Sequence, residues 1–157
     1  MKKHAFNPLI LIAFGLATAF ASDEHEFNSL VVSDASIRPL LPGQNITAAF
    51  LKISNRGSTD CKLLKSDAPI AKRVEFHTHR HEQGMVKMRP VETVQLPTGA
   101  SILFASGGLH LMLFDVEQSL NSLDTTEINL HTDHCGSVSF SAKLADKIGH
   151  PVEEMHH

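Results

Sequence analysis

Short stretches in which apolar and polar residues alternate recur along most of the chain, and turn residues separate them. Alternation with a period of two is typical of strands that bury one face. Pro42-Gly43, Asn55-Arg56-Gly57 and Gly107-Gly108 lie between such stretches and favour tight turns. The pattern predicts an all-β domain, built as a two-sheet sandwich or a small barrel. The predicted strands cover residues 29–37, 47–54, 62–66, 73–77, 91–96, 101–104, 109–116, 127–132 and 137–144.

The start of the chain has the pattern of an export signal. Lys2 and Lys3 precede an apolar run over 9–21, which is too short to span a bilayer as a helix and ends in the small residues Ala19 and Ala21. We predict cleavage after Ala21, with an uncleaved N-terminal anchor as the alternative. The expected product is a periplasmic protein without stable membrane insertion.

Charge and composition exclude some classes of partner. The chain of 157 residues has 42% apolar residues, which is enough for the core of one domain. Lys and Arg number 14 against 17 Asp and Glu, and Trp and Tyr are missing, so a nucleic-acid-binding surface is not expected. The unusual feature is 11 His, because imidazole at neutral pH either carries protons or binds a metal.

Two cysteines, Cys61 and Cys135, are compatible with an oxidising compartment. A disulfide between them would close a long loop and contribute about 4 kcal/mol to stability. The sequence does not place their Cα atoms, so a disulfide and two free thiols remain alternatives.

Sulfur and imidazole occur together in the predicted strands. His110 and Met112 are two residues apart in one strand, so their side chains share a face. His77 ends another predicted strand, and Met88 follows the loop after it. Thioether sulfur is soft and favours Cu(I) over Zn(II), Mg(II) or Ca(II). Core packing is the alternative for any one of these residues taken alone.

The spacing of these four residues is H-x10-M-x21-H-x-M, the signature of the periplasmic copper chaperones called PCu(A)C, which the chain resembles from about residue 27 to residue 144. Similar stretches surround the signature, among them 34–43, 74–77 and 107–113. The sequence departs from the family at Ser106, where the family commonly has Pro, and at Met85, which is displaced by one from a second Met of the family.

The resemblance implies a cupredoxin-like Greek-key β-sandwich over 22–145 that binds one Cu(I) through His77, Met88, His110 and Met112. It also implies a carrier that passes copper in the periplasm to the binuclear centre of cytochrome c oxidase subunit II, alongside a Sco-type protein. A copper-sequestering protein for resistance is the alternative. An enzyme is not expected, because the sequence holds no H-E-x-x-H arrangement typical of zinc hydrolases.

Further imidazoles lie close to His77 in the sequence. His79 and His81 alternate with it and would share its face in an extended segment. With Met85 they could form a secondary or entry site for copper, although a solvated loop is the favoured interpretation.

The last segment, 146–157, is expected to be a flexible tail. It contains His150, Met155, His156 and His157 beside acidic residues. Imidazole with carboxylate suits Cu(II), so this tail could hold a second copper ion, or it could have no role.

A blue-copper centre at His131, His134 and Cys135 is a further alternative. Such sites combine two His, a Cys and a weak axial Met. In cupredoxins the Cys generally precedes its His and Met in one loop, whereas here both His come first and no Met follows until Met155. A surface cluster in a turn is the favoured interpretation.

Overall fold

The structure is a computed structural model and describes residues 29–145. The predicted leader over 1–21, its cleavage site and the predicted tail over 146–157 lie outside these residues. The described part consists of strands and one short 3-10 helix at Gln118–Ser122. The strands are β1 (Leu30–Ile37), β2 (Ile46–Asn55), β3 (Cys61–Asp67), β4 (Ala71–Glu82), β5 (Met85–Val91), β6 (Val94–Leu96), β7 (Ser101–Phe104), β8 (His110–Val116), β9 (Thr125–Thr132) and β10 (Ser137–Leu144).

Alternation along the strands separates a buried face from an outer face, as the sequence predicts. In β2, Ala49, Leu51 and Ile53 are buried, while the residues between them are half-buried or exposed. Leu111 and Leu113 of β8 are buried in the same way. These side chains meet in one apolar core between the layers, so each strand leaves every second side chain available on the outside.

The strands form one continuous path in the order β5-β4-β8-β2-β1-β10-β9-β3-β6. A further pairing of β3 with β4 closes this path into a flattened barrel, and β7 pairs with β2 beyond β8. The pairings are antiparallel except that of β1 with β10. β1 pairs with β2 on one edge and with β10 on the other, which links the two layers of the sandwich, and its register with β2 shifts at a bulge between Ser33 and Ser36. The predicted all-β sandwich is confirmed.

The segment after His77 differs from the prediction. It continues as a strand to Glu82, turns over Gln83 and Gly84, and returns as β5. Both turn residues have positive φ, 51° and 77°, as a two-residue type I′ hairpin requires. The sequence did not indicate this hairpin because its residues are mostly polar and their backbone pairing, rather than apolar burial, defines the strands.

The two cysteines form a disulfide. Cys61 begins β3 and Cys135 lies in the turn between β9 and β10, with their Cα atoms 5.9 Å apart. The side-chain amide of Asn55 donates to the Cys61 Sγ at 3.3 Å and to the Leu96 carbonyl at 3.1 Å. The sequence left this pairing open, and the fold provides it.

Within residues 29–145, no helix has the length and apolar character needed to cross a membrane.

Candidate metal centre

The candidate site lies on the outer face where β4 and β8 run side by side. Their register pairs Phe76 with Leu111 and His77 with His110. Phe76 and Leu111 are buried in the core. Because neighbouring residues of a strand point to opposite faces, the two imidazoles lie together on the outside. Their ring centroids are 6.2 Å apart.

The two methionines lie on the same outer face, on either side of the histidine pair. Met112 is half-buried and pairs with Glu75 of β4, one step along the ladder from His110. Met88 is on β5, where it pairs with His79, and its side chain is 42% exposed. The fold therefore places all four predicted residues on one face, with the imidazoles adjacent and the methionines in the rows before and after them.

One nitrogen of His77 is left without a partner. Its Nε2 is 2.8 Å from Oε2 of Glu75, which makes Nε2–H the donor to that carboxylate. Nδ1 is buried and has no hydrogen-bond partner among the described residues. A buried polar atom of this kind is costly unless a ligand completes it. In proteins, metal-binding histidines are commonly oriented in this way: one ring nitrogen donates to a carboxylate, and the other is left free for the metal.

The ring of His110 is oriented by the backbone. Its Nδ1 donates to the Gly108 carbonyl at 2.9 Å, which leaves Nε2 with the lone pair. Burial lowers the pKa of His110; the hydrogen bond to Gly108 opposes this shift, and the charges of His79 and His77 add to it. A neutral imidazole is the form that binds a metal, so this environment keeps His110 ready to act as a ligand.

A loop between β7 and β8 supplies that carbonyl. Both strands pair with β2, so the residues between them bulge from the sheet beside His110. Gly108 N–H donates to the Ala105 carbonyl at 3.1 Å and stabilises the loop. Ser106, the departure from the family pattern, accepts a hydrogen bond from Nη2 of Arg38 at 3.1 Å, so its hydroxyl has a structural partner of its own.

The structure corrects the interpretation of His79 and Met85. His79 does not lie in a solvated loop, because it is half-buried in β4 and its ring centroid is 5.3 Å from that of His110. Met85 pairs with Glu82 rather than with a histidine. Glu82 is an odd number of residues from His79 and His81, so it points to the opposite face of the hairpin. Met85, as the cross-strand partner of Glu82, points to that opposite face as well. The register of the hairpin therefore does not support the alternative that grouped these imidazoles with Met85.

The cluster at the β9–β10 turn has no thiolate to offer. Asp133, His134 and Cys135 lie close enough to share an ion, but the Cys135 sulfur is bonded to Cys61. His131 is held instead by Asp67 and Ser137. A blue-copper centre needs a cysteine thiolate, so this alternative is excluded and the surface-cluster interpretation is confirmed.

Taken together, the donors of the outer face are two imidazole nitrogens and two thioethers, which suit Cu(I). The Glu75 carboxylate on this face is already held by His77 and by Arg73 at 3.2 Å. The fold and site thus define an all-β, cupredoxin-like domain with a His and Met surface site.

The chain belongs to the LpqE-like lipoprotein family, whose model matches residues 30–144. A comparison with curated protein sequences found no match. Among solved structures, the copper-bound PCuAC domain from PmoF2 has a TM-score of 0.62 at 18% identity, over 74% of this chain and 92% of that one. The apo PCuAC domain from PmoF1 has a TM-score of 0.61 at 22% identity, over 74% and 93%.

A third similar structure is the solution structure of CuI-DR1885 from Deinococcus radiodurans, with a TM-score of 0.59 at 24% identity, over 75% of this chain and 78% of that one. These likenesses show the fold. The predicted cupredoxin-like fold is confirmed, and the resemblance to PCu(A)C seen in the sequence is matched by neighbours that are PCuAC domains.

Proposed function

We propose that this protein is a periplasmic copper metallochaperone. It binds one Cu(I) through His77, Met88, His110 and Met112 and releases it to a copper enzyme, and it catalyses no reaction itself. The observation that carries this proposal is the buried, unpartnered Nδ1 of His77 on the face that also holds His110. The names of the similar structures, which include a copper-bound and a CuI form, support copper as the cargo.

The site combines fixed and accessible donors. Glu75 and Gly108 orient the two imidazoles before copper arrives, so little ordering is required on binding. Met88 is different, because it is on the β4–β5 hairpin and is exposed. An acceptor ligand can therefore displace Met88 first, while both imidazoles still hold the ion. This asymmetry suits a carrier, which must hold copper firmly and still transfer it by ligand exchange.

The acceptor is proposed from the family resemblance. Cytochrome c oxidase subunit II, with a Sco-type protein assisting, is the expected destination, and the predicted export signal is compatible with it. The proposal is tested by mixing the Cu(I)-loaded protein with the copper-free soluble domain of subunit II and separating the two. Copper recovered with subunit II supports this acceptor, and copper retained on the carrier contradicts it.

The ligand set is tested by a competition titration with a coloured Cu(I) chelator. We expect one tightly bound Cu(I) per chain, with sulfur scattering in X-ray absorption spectra. Replacing Met88 and Met112 together by Leu should abolish tight binding, because two soft donors are lost while the volume is nearly kept. Met85→Leu is the matched control, since Met85 is also exposed but faces away from the site.

Retained tight binding in the double variant would show that the site is wrongly assigned. The sequestration alternative predicts several copper ions per chain, most of which disappear when His150, His156 and His157 are replaced. One bound copper ion both in the parent protein and in the variant without the tail histidines contradicts sequestration and supports the carrier function.

A further inference from the structure

The histidine closest to the His110 ring is not His77. The centroid of His79 lies 5.3 Å from that of His110, whereas His77 lies 6.2 Å away. His79 is half-buried in β4, two residues from His77 and on the same face. Its cross-strand partner is Met88. Three imidazoles therefore lie on one face, and the four-residue signature includes only two of them.

Coordination geometry permits His79 and His110 to share an ion. An imidazole nitrogen lies about 1.2 Å from the ring centroid and binds a metal at about 2.0 Å, so two rings on one ion have centroids at most about 6.4 Å apart. The His77–His110 centroid separation of 6.2 Å corresponds to two nitrogens on nearly opposite sides of the metal. The His79–His110 separation of 5.3 Å corresponds to an angle of about 110° at the metal. In the described structure the ligand nitrogens of the three rings do not all lie within 4.8 Å of one another, so sharing one ion requires side-chain rotation that turns a nitrogen of each ring toward it.

The chemistry of the third ring decides which ion it favours. Cu(II) prefers nitrogen and oxygen donors, whereas thioether favours Cu(I). We propose that His79 is a further copper ligand, which together with His77 and His110 gives this face a three-imidazole donor set for Cu(II). The same face then binds copper in either oxidation state, through His77, His79 and His110 for Cu(II) and through the His and Met set for Cu(I). This inference rests on the proposed copper-carrier function.

His81 provides a matched control on the same strand. It follows His79 by two residues, so it shares the face, but it is exposed and its cross-strand partner is Val86 rather than a donor. Replacing His81 removes the same chemical group from the same hairpin without removing a ring that contacts His110. A difference between variants at the two positions therefore reports ligation rather than hairpin stability or charge.

The test uses the full chain with His150, His156 and His157 replaced by Gln, so that Cu(II) is not bound by the tail. One equivalent of Cu(II) is added to this protein and to its His79→Gln and His81→Gln derivatives. Pulsed electron paramagnetic resonance counts the coordinated imidazoles, and competition with a Cu(II) chelator gives the affinity. Amide NMR spectra of the copper-free proteins verify that each derivative is folded.

We expect three coordinated imidazoles in the parent and in His81→Gln, and two in His79→Gln, with Cu(II) affinity lowered at least about tenfold. Cu(I) affinity should stay within about threefold in both derivatives. Two imidazoles in the parent, or equal losses in the two derivatives, would overturn the role of His79. Failure of the parent to bind Cu(I) would instead contradict the proposed carrier function, so the two failures are distinguishable.

Discussion

Glu75 offers the sharpest test of how the site is oriented. Its carboxylate accepts the Nε2–H of His77 at 2.8 Å, on the side of the ring opposite the buried Nδ1. Glu75→Gln keeps an acceptor oxygen and the side-chain length but removes the charge. We expect weaker Cu(I) binding with unchanged stoichiometry, because the carboxylate both fixes the ring and makes its free nitrogen a better donor.

The size of the effect follows from the geometry. A carboxylate about 7 Å from a bound cation, across an imidazole ring, contributes about 2 kcal/mol at an effective dielectric constant of about 20. The Glu75 side chain is 32% exposed and is shared with Arg73 at 3.2 Å, so screening lowers this contribution to about 1 kcal/mol. Replacing the charged hydrogen bond to His77 by a neutral one weakens Cu(I) binding by a further, smaller amount of free energy. Together these effects predict a Cu(I) dissociation constant raised about tenfold.

The assay is a chelator competition at fixed pH and low salt, performed in parallel on Glu82→Gln. Glu82 is on the same strand, but its carboxylate is held by Arg89 at 2.7 Å and not by an imidazole. We expect the control to change affinity by less than about twofold, because Arg89 already pairs with the Glu82 carboxylate and this carboxylate does not orient an imidazole. An unchanged affinity in Glu75→Gln, or an equal loss in Glu82→Gln, would refute the orienting role of Glu75.

Two further predictions concern stability away from the site. Replacing Cys61 and Cys135 together by Ala should lower the free energy of unfolding by about 4 kcal/mol in a urea titration, because the disulfide closes a loop with a sequence separation of 74; a loss below about 1 kcal/mol would contradict this account. Hydrogen bonds from Asn129 and then His131 lower the pKa of Asp67, so its stabilisation is present above the carboxyl's unfolded pKa and disappears as pH falls through the lower folded value. Asp67→Asn should therefore lower stability by up to about 1 kcal/mol near neutral pH, because the pair is exposed, and this loss should shrink as pH falls through the folded pKa of Asp67; a loss that does not change with pH would refute the assignment.

Much of the fold could be predicted from local pattern. β10 alternates apolar and polar residues, β2 and β8 place buried apolar residues at every second position, and the predicted strands match all three to within one residue at each end. The β4–β5 hairpin could not be found in this way, because its outer half carries polar residues on both faces. Its strands exist because their backbones pair across a Gln83-Gly84 turn, and such pairing leaves no apolar period in the sequence.

The disulfide shows the same limit. Two cysteines separated by 74 residues can meet only if β3 and the β9–β10 turn are neighbours. That adjacency depends on the order of strands around the whole barrel. The sequence separation determines how much a disulfide would contribute to the free energy of unfolding, but it does not determine whether the disulfide forms.

For the site, residue types and spacing were enough to select His77, Met88, His110 and Met112 and to favour Cu(I), because donor softness belongs to the side chain and strand alternation fixes its face. Which nitrogen of each ring is free, and the approach of His79 to His110, follow from the registers of β4 with β8 and with β5. These registers are set by contacts between segments far apart in the chain, and a one-residue shift would turn every donor to the other face. Local pattern therefore supplies the donors, and the closed sheet positions them around one ion.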